Sequence, residues 1–422
     1  MTESLTVDIA ILGGGMAGFA AAVTARRAGK DVALICQSPG ATALSSGCVD
    51  FAPASSEGAT IAASVETLAA ARPAHPFAVI ASERARAVHA AVELLGREFP
   101  FLAGGADGRP LLLATPMGAV RDAAMAQKTI ALGDLQLLRG ARIGVVALAG
   151  VQALEARLVA SLLDESLASR GGSATLLTVP LFVQRSDAQL LSSDFAADVE
   201  RPGRAAEWGR AIGLAARQCG ATHALISTVG LVDPVSTLEV LTQGAGVRCF
   251  EQMSGPPSVP GLRLQRAIDA RLSEIGVRVI SGVATAAISG DTVQAIQLGS
   301  GERVNARAFV LASGKFLSGG ITREATFQET VFGLPVHVPG ARGTWIGDLL
   351  DRDPAGEHAA LAAGVATDSM LRPLDADGAV RFPNLFAAGA ILAGSGATRD
   401  QSGLGLAAAT GWLAAQGAMA FA

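Results

Sequence analysis

Gly13, Gly15 and Gly18 stand as G-x-G-x-x-G inside VDIAILGGGMAGFAAAVTARRAGKDVALIC, residues 7–36. Glycines at that spacing bring backbone amides up to a phosphate. Gly13 permits the tight turn, Gly15 lets the backbone approach the phosphate, and Gly18 lets the helix lie close on the strand. The phosphate then meets a helix N-terminus, where unpaired N–H groups and the helix dipole favour an anion. The elements that must position this turn are legible around it. Ile9 and Ile11 alternate on a first strand, Gly29 stops the helix, and Val32 and Leu34 open a second strand. A bare glycine pattern is also a packing device, but here the flanking periodicity points to a bound nucleotide or flavin. An acidic residue for the adenosine ribose hydroxyls is expected at the end of the second strand, and Cys36 followed by Gln37 stands there instead. That absence argues against a tightly held adenosine.

Composition bounds the rest. At 422 residues the chain is too long for one small core and implies two domains or one domain with an insertion. With no Tyr and only 4% aromatic residues, the core must be built from Ala, Leu, Val and Ile. The formal charge of −4 gives no reason to expect nucleic acid or an anionic membrane surface as partner. No segment reads as a membrane span or signal peptide, because the apolar start is broken by Gly13-Gly14-Gly15. A cytoplasmic location is expected. Cys36, Cys48, Cys219 and Cys249 show no C-x-x-C spacing, so neither an iron–sulfur cluster, nor another metal site, nor a disulfide framework is indicated. Cys48 reads as a packing residue, since nothing basic beside it would lower its thiol pKa.

Along the chain, Pro73-Ala74-His75-Pro76 makes a rigid turn. Arg142 to Gly150 reads as a buried strand, followed by a helix from about Val151 and a strand at Ala224 to Thr228, together a second α/β region. Val277 to Ile280, Ala284 to Ile288 and Val293 to Leu298 look like a β-meander. Two late phrases, AFVLASGKFLSGG (308–320) and NLFAAGAILAG (384–394), end buried strands at small residues. Ser313 with Gly314, and Gly389, thereby leave room for a planar ring or a phosphate at the carboxyl edge of a sheet. The expected class is α/β, a Rossmann-like FAD/NAD(P)-binding flavoprotein fold with an inserted second α/β region. Residues 1–140 and 265–422 are assigned to the flavin-binding domain and 141–264 to an inserted substrate or partner domain.

GGGMAG, SSGCVDF, AHPF, TPMGAVRDA, VLASGKFLSGG, GVATDSMLRPL and NLFAAGAILAG, running from end to end, together resemble the B subunit family of anaerobic glycerol-3-phosphate dehydrogenases, flavoproteins related to succinate dehydrogenase and fumarate reductase. The resemblance implies FMN, with FAD as the alternative. It also implies two partners, a catalytic FAD-carrying subunit of the same dehydrogenase and its iron–sulfur membrane-anchor subunit, with quinone as electron acceptor. The chain would then sit at the inner face of the cell membrane only through those partners. By the same resemblance Gly13, Gly15, Met16 and Gly18 contact phosphate, and Ser45, Ser46 and Gly47 contact the ring. The helix N-terminus at Gly403, Leu404 and Gly405 aims amides at the flavin N1 and C2 carbonyl. Ala390 stands where relatives commonly carry an Asp or Glu for the ribityl chain.

Oxidising the secondary alcohol of glycerol 3-phosphate, a small phosphorylated polyol, needs a base, a hydride acceptor and cations for the phosphate. His75 is the candidate base, with a turn-stiffening histidine as the alternative. Arg342, Arg372 and Arg399 are candidate phosphate ligands. Two function classes stay open: a redox subunit that oxidises the substrate or relays its electrons, and a non-catalytic scaffold that docks the catalytic partner. A stand-alone NAD-dependent dehydrogenase fits less well, because the ribose carboxylate is absent.

Overall fold

The computed structural model describes residues 4–56, 58–148, 153–180, 191–353, 356–396 and 399–422. The chain divides into two compact units. One comprises residues 1–42, 49–100 and 265–422, the other residues 43–48 and 101–264.

In the first unit, β1 (Ser4–Leu12) leads through the glycine turn into α1 (Met16–Arg27) and then β2 (Val32–Cys36). β1 is paired in parallel on both sides, with Ile9 opposite Val32 and Ala308, and Ile11 opposite Leu34 and Val310. A strand with parallel neighbours on both sides is covered on both faces, so its continuous apolar run follows from its position. The sheet runs Arg278–Ser281, β2, β1, Arg303–Leu311, Thr292–Leu298, Ala284–Ser289, and Leu385–Ala387 pairs with Arg303–Leu311. The meander expectation needs one correction. Ala284–Ser289, Thr292–Leu298 and Arg303–Leu311 are antiparallel neighbours, but Arg278–Ser281 lies in parallel beside β2 at the opposite edge.

Ala20, Ala21, Ala22 and Val23 of α1 have no exposed surface, and Phe19 stacks on Phe99 at 4.8 Å between ring centroids. Burying a ring such as Phe19 contributes about 1.5–3 kcal/mol. The C-terminal helix, Gly403–Phe421, is long and apolar enough to cross a bilayer. It packs on α1, so closely that a Cβ at Gly411 would lie 2.2 Å from the Ala17 carbonyl oxygen. A helix apolar on all sides is accounted for by such burial.

The second unit holds a four-stranded parallel sheet in the order Arg248–Glu251, His223–Ile226, Arg142–Leu148, Ser173–Val179. Side chains alternate between its faces. Val146, Leu177, Ala224 and Ile226 face a cluster with Trp208, Ile212, Leu238 and Leu241. Ile143, Val145, Leu225 and Phe250 face Leu135, Leu163 and Leu167. The helix after Arg142–Leu148 spans Ala153–Ala168. Val151, where the sequence begins it, lies outside the described residues. The unit boundary also differs from the sequence expectation, because residues 101–140 group with the second unit. The hairpin Leu111–Ala114 with Val120–Ala123 supplies Leu112, Ala114 and Val120 to the same apolar cluster as Leu163 and Leu225, and this packing holds it there.

Candidate functional site

The glycine turn sits at the carboxyl end of β1, and its three glycines have different causes. Gly13 has φ +120°, and a Cβ there would lie 2.1 Å from the Ala312 carbonyl oxygen. A Cβ at Gly18 would lie 1.8 Å from the Gly13 oxygen. These two are demanded by the chain itself. Gly15 is not: its φ is −83°, and an added Cβ would make only ordinary contacts, 3.5 Å to Thr42 Oγ1 and 3.7 Å to Gly40 Cα. Gly15 therefore lines a small cradle that a side chain would fill, which is the property a phosphate site requires. Thr42, which sequence reasoning missed, accepts the Met16 N–H at 3.1 Å. Its signal is the run of small residues, Gly40-Ala41-Thr42, soon after β2. The close approach of Ala312 and the Ser313 amide to Gly13 brings the AFVLASGKFLSGG phrase against the turn. The Ser313 hydroxyl, with no hydrogen-bond partner among the described residues, lies on the side of Gly320 rather than of the turn, and Gly314 takes φ +72°. This cradle, the Thr42 hydroxyl beside it and the helix N-terminus fit a phosphate-bearing cofactor.

Other expected contacts need correction. The Gly405 amide is not aimed outward, because it donates to the Asp50 carbonyl at 3.0 Å, and a Cβ there would strike Asp50 and Phe51. Gly389 donates its N–H to Thr410 Oγ1 at 2.9 Å and packs against Ala17, so helix packing accounts for it. Gly403 and Leu404 open the same helix as Gly405. Ser45, Ser46 and Gly47 belong to the second unit, where the Ser45 carbonyl accepts the Ser258 hydroxyl at 2.5 Å and Gly47 packs on Pro260. Cys48 is buried, in line with packing.

His75 is 1% exposed. Its Nδ1 accepts the Phe77 N–H at 3.1 Å, capping the short helix Pro76–Val79. In the neutral ring the proton then sits on Nε2, which faces the Ser402 hydroxyl at 3.4 Å and Asp400 at 3.9 Å. Burial first, then the charges of Arg72 and Lys315, push its pKa down to about 4. One nitrogen is engaged and the other already protonated, so the ring has no free lone pair with which to act as base. The structural role is the one its geometry shows.

Around it Arg72 pairs with Asp400 at 3.2 Å, and Lys315 donates to the Leu361 and Ser395 carbonyls at 2.7 and 2.8 Å. Burial pushes the Lys315 pKa down to about 7, against the opposing attraction of Asp400. No sequence signal marks this cluster, since two of its members, His75 and Ser402, lie 327 residues apart. Of the candidate phosphate ligands, Arg372 is already paired with Asp368 at 2.7 Å and Arg399 with Glu357, whereas Arg342 lies on an exposed loop.

A neutral His75 in the folded chain binds fewer protons than it does unfolded. Its contribution is therefore complete above the ordinary histidine value of 6.5 and is lost as pH falls toward 4. The interval from 6.5 to about 4 corresponds to about 3 kcal/mol. His75→Asn keeps an acceptor for the Phe77 N–H and removes the titration, so melting temperature should fall less steeply between pH 6.5 and 4 than in the parent. Parallel pH profiles for the two proteins would refute this.

A family model described as FAD binding domain matches residues 8–406. The chain belongs to the FAD-binding domain family. That membership supports a flavin cofactor, and because FAD is the cofactor of the family it does not support FMN as first choice. Among curated relatives, the B subunit of a probable anaerobic glycerol-3-phosphate dehydrogenase from Halobacterium salinarum is 36% identical over 44% of this chain and 44% of that protein, under half its length. The B subunit of the anaerobic glycerol-3-phosphate dehydrogenase from Vibrio vulnificus is 27% identical over 98% of this chain and 97% of its own. The resemblance seen in the sequence is borne out along the chain. Two solved structures match along most of this chain. One is the open conformation of a flavocytochrome c3 fumarate reductase, with TM-score 0.45 and 10% identity over 99% of this chain and 79% of that one. The other is Mycobacterium smegmatis Sdh1 in complex with UQ1, with TM-score 0.41 and 13% identity over 99% and 69%. The mixed α/β flavoprotein fold expected from the sequence is the one observed.

Proposed function

We propose that this chain is the flavin-dependent subunit of a quinone-linked glycerol-3-phosphate dehydrogenase, oxidising sn-glycerol 3-phosphate to dihydroxyacetone phosphate or relaying its electrons. The observation that carries the flavin is Gly15, a glycine at a helix N-terminus that nothing among the described residues requires. The substrate and partners rest on end-to-end similarity to proteins named for that dehydrogenase. When bound, the flavin supplies the hydride acceptor. The chain's own part is to hold it: the Gly13 to Gly18 turn and Thr42 take the phosphate end, and FAD is the form we favour. For the substrate phosphate, Arg342 is the cation whose exposure leaves it accessible, since Arg372 and Arg399 are engaged by carboxylates. The partners in this reading are an iron–sulfur protein that anchors the assembly at the inner face of the cell membrane, together with a catalytic FAD-carrying subunit.

A second reading, a scaffold that docks the catalytic partner, is favoured by a specific observation. The amides of Met16, Gly389 and Gly405 are all satisfied within the chain.

Denaturing the purified protein and weighing what it releases separates the two. About one FAD per chain supports the redox reading, and a colourless preparation supports the scaffold. Gly15→Val should abolish flavin binding while leaving the melting temperature of the cofactor-free protein nearly unchanged, because the new side chain enters the cradle and meets little else. Full flavin occupancy in that variant would remove the turn as the binding site.

A further inference from the structure

The end of β2 carries no carboxylate, yet the fold brings one to that place from elsewhere. Gln265 and Asp269 lie one turn apart on the helix Val259–Glu274. Gln265 is 5% exposed, and its side-chain amide donates to the Gly14 carbonyl at 3.0 Å and to Asp269 Oδ1 at 2.9 Å. Both partners are acceptors only, so the NH2 must face them, which fixes the amide orientation. Gln265 Oε1 then points away from both, buried and with no hydrogen-bond partner among the described residues. A buried acceptor left without a donor costs about 1–3 kcal/mol, a cost that a hydroxyl or water reaching it would relieve.

The surroundings say what kind of donor. Gly14 is the middle residue of the phosphate turn, and a Cβ on it would lie 3.3 Å from Cys36 Sγ. Asp269 is exposed but close enough to Cys36 for its charge to raise the thiol pKa, second to the effect of burial. Turn, end of β2, buried acceptor and exposed carboxylate are thus contiguous. In a Rossmann-type unit the group that lies between the glycine turn and the end of the second strand is the adenosine ribose, and its vicinal diol offers two donors to two neighbouring acceptors.

We propose that Gln265 Oε1 and the Asp269 carboxylate together bind the adenosine ribose hydroxyls of a dinucleotide flavin, replacing the acidic residue that β2 lacks. This rests on the flavin reading above and deepens it. It makes FAD, which has that ribose, a better ligand than FMN, which does not.

The test is titration of the full cofactor-free chain with FAD and, separately, with FMN, followed by flavin fluorescence, in the parent, Asp269→Asn and Gln265→Leu. The parent should bind FAD more tightly than FMN. Each substitution should weaken FAD about tenfold to a hundredfold, the worth of hydrogen bonds to a charged or buried acceptor, and leave FMN within about threefold. Because Gln265→Leu also removes the bond to Gly14, Asp269→Asn, whose side-chain oxygen can still accept the Gln265 amide, is the deciding variant. Equal loss for both flavins, or no loss for FAD, would overturn the proposal and leave the pair a structural brace. Parent protein that binds FMN at least as tightly as FAD would overturn it too. Parent protein that binds neither flavin would instead overturn the flavin reading itself, and this proposal with it.

Discussion

Gly18→Ala should melt far below the parent, while Gly15→Ala, three residues away in the same turn, should melt almost with it. A Cβ at Gly18 would lie 1.8 Å from the carbonyl oxygen of Gly13, a backbone atom fixed by the turn, so α1 must move off β1 to admit it. Overpacking usually costs about 1–3 kcal/mol when side chains can yield, and against backbone the cost should reach about 3–5 kcal/mol. Gly15 has an ordinary φ of −83° and no contact closer than 3.5 Å, so alanine there should cost under about 1 kcal/mol. Thermal unfolding of the two cofactor-free variants decides the matter. Equal melting temperatures would show that the close packing of helix on strand does not set the stability of this unit.

Glu251→Gln should destabilise the second unit by about 3–5 kcal/mol. The Glu251 carboxylate is wholly buried at the end of its strand. It accepts the Val229 N–H at 3.0 Å and the hydroxyls of Thr228 and Thr129 at 3.2 and 2.6 Å, and it pairs with the guanidinium of Arg263, itself 6% exposed. A glutamine of the same shape removes the charge, leaves Arg263 buried without a counter-ion, and turns an NH2 toward groups that are themselves donors. Breaking a buried ion pair from one side costs this much because the remaining charge is uncompensated. Urea unfolding would measure it, and a loss under about 1 kcal/mol would mean that water or rearrangement satisfies Arg263.

Some elements are legible without the structure because their causes are local. β1, the glycine turn, α1 and β2 follow one another in sequence, and their period-two and helical patterns are complete within residues 4–36. The edge strand Arg278–Ser281 is different. A strand's periodicity does not say which neighbour it will choose, and its parallel pairing with β2 is made with residues from the opposite end of the chain. Glycine is ambiguous in the same way. Gly15 and Gly389 have the same side chain, yet one borders a cradle and the other is pressed against Ala17. For His75, residue type and flanking prolines allow a base, but the bond from the Phe77 N–H and the depth of burial determine what its nitrogens can do.

A flavoprotein α/β fold, the glycine turn at its first strand and the kinship with glycerol-3-phosphate dehydrogenase subunits are all readable from the residues alone, because they reside in short contiguous patterns and the order of those patterns along the chain. Tertiary packing was needed to establish which glycines serve close contacts, where residues 101–140 belong, and that Gln265 and Asp269 come to rest beside Gly14 and Cys36. Those are outcomes of long-range contacts, in which a helix far along the chain brings a glutamine and a carboxylate beside a turn whose own following strand ends without an acidic residue.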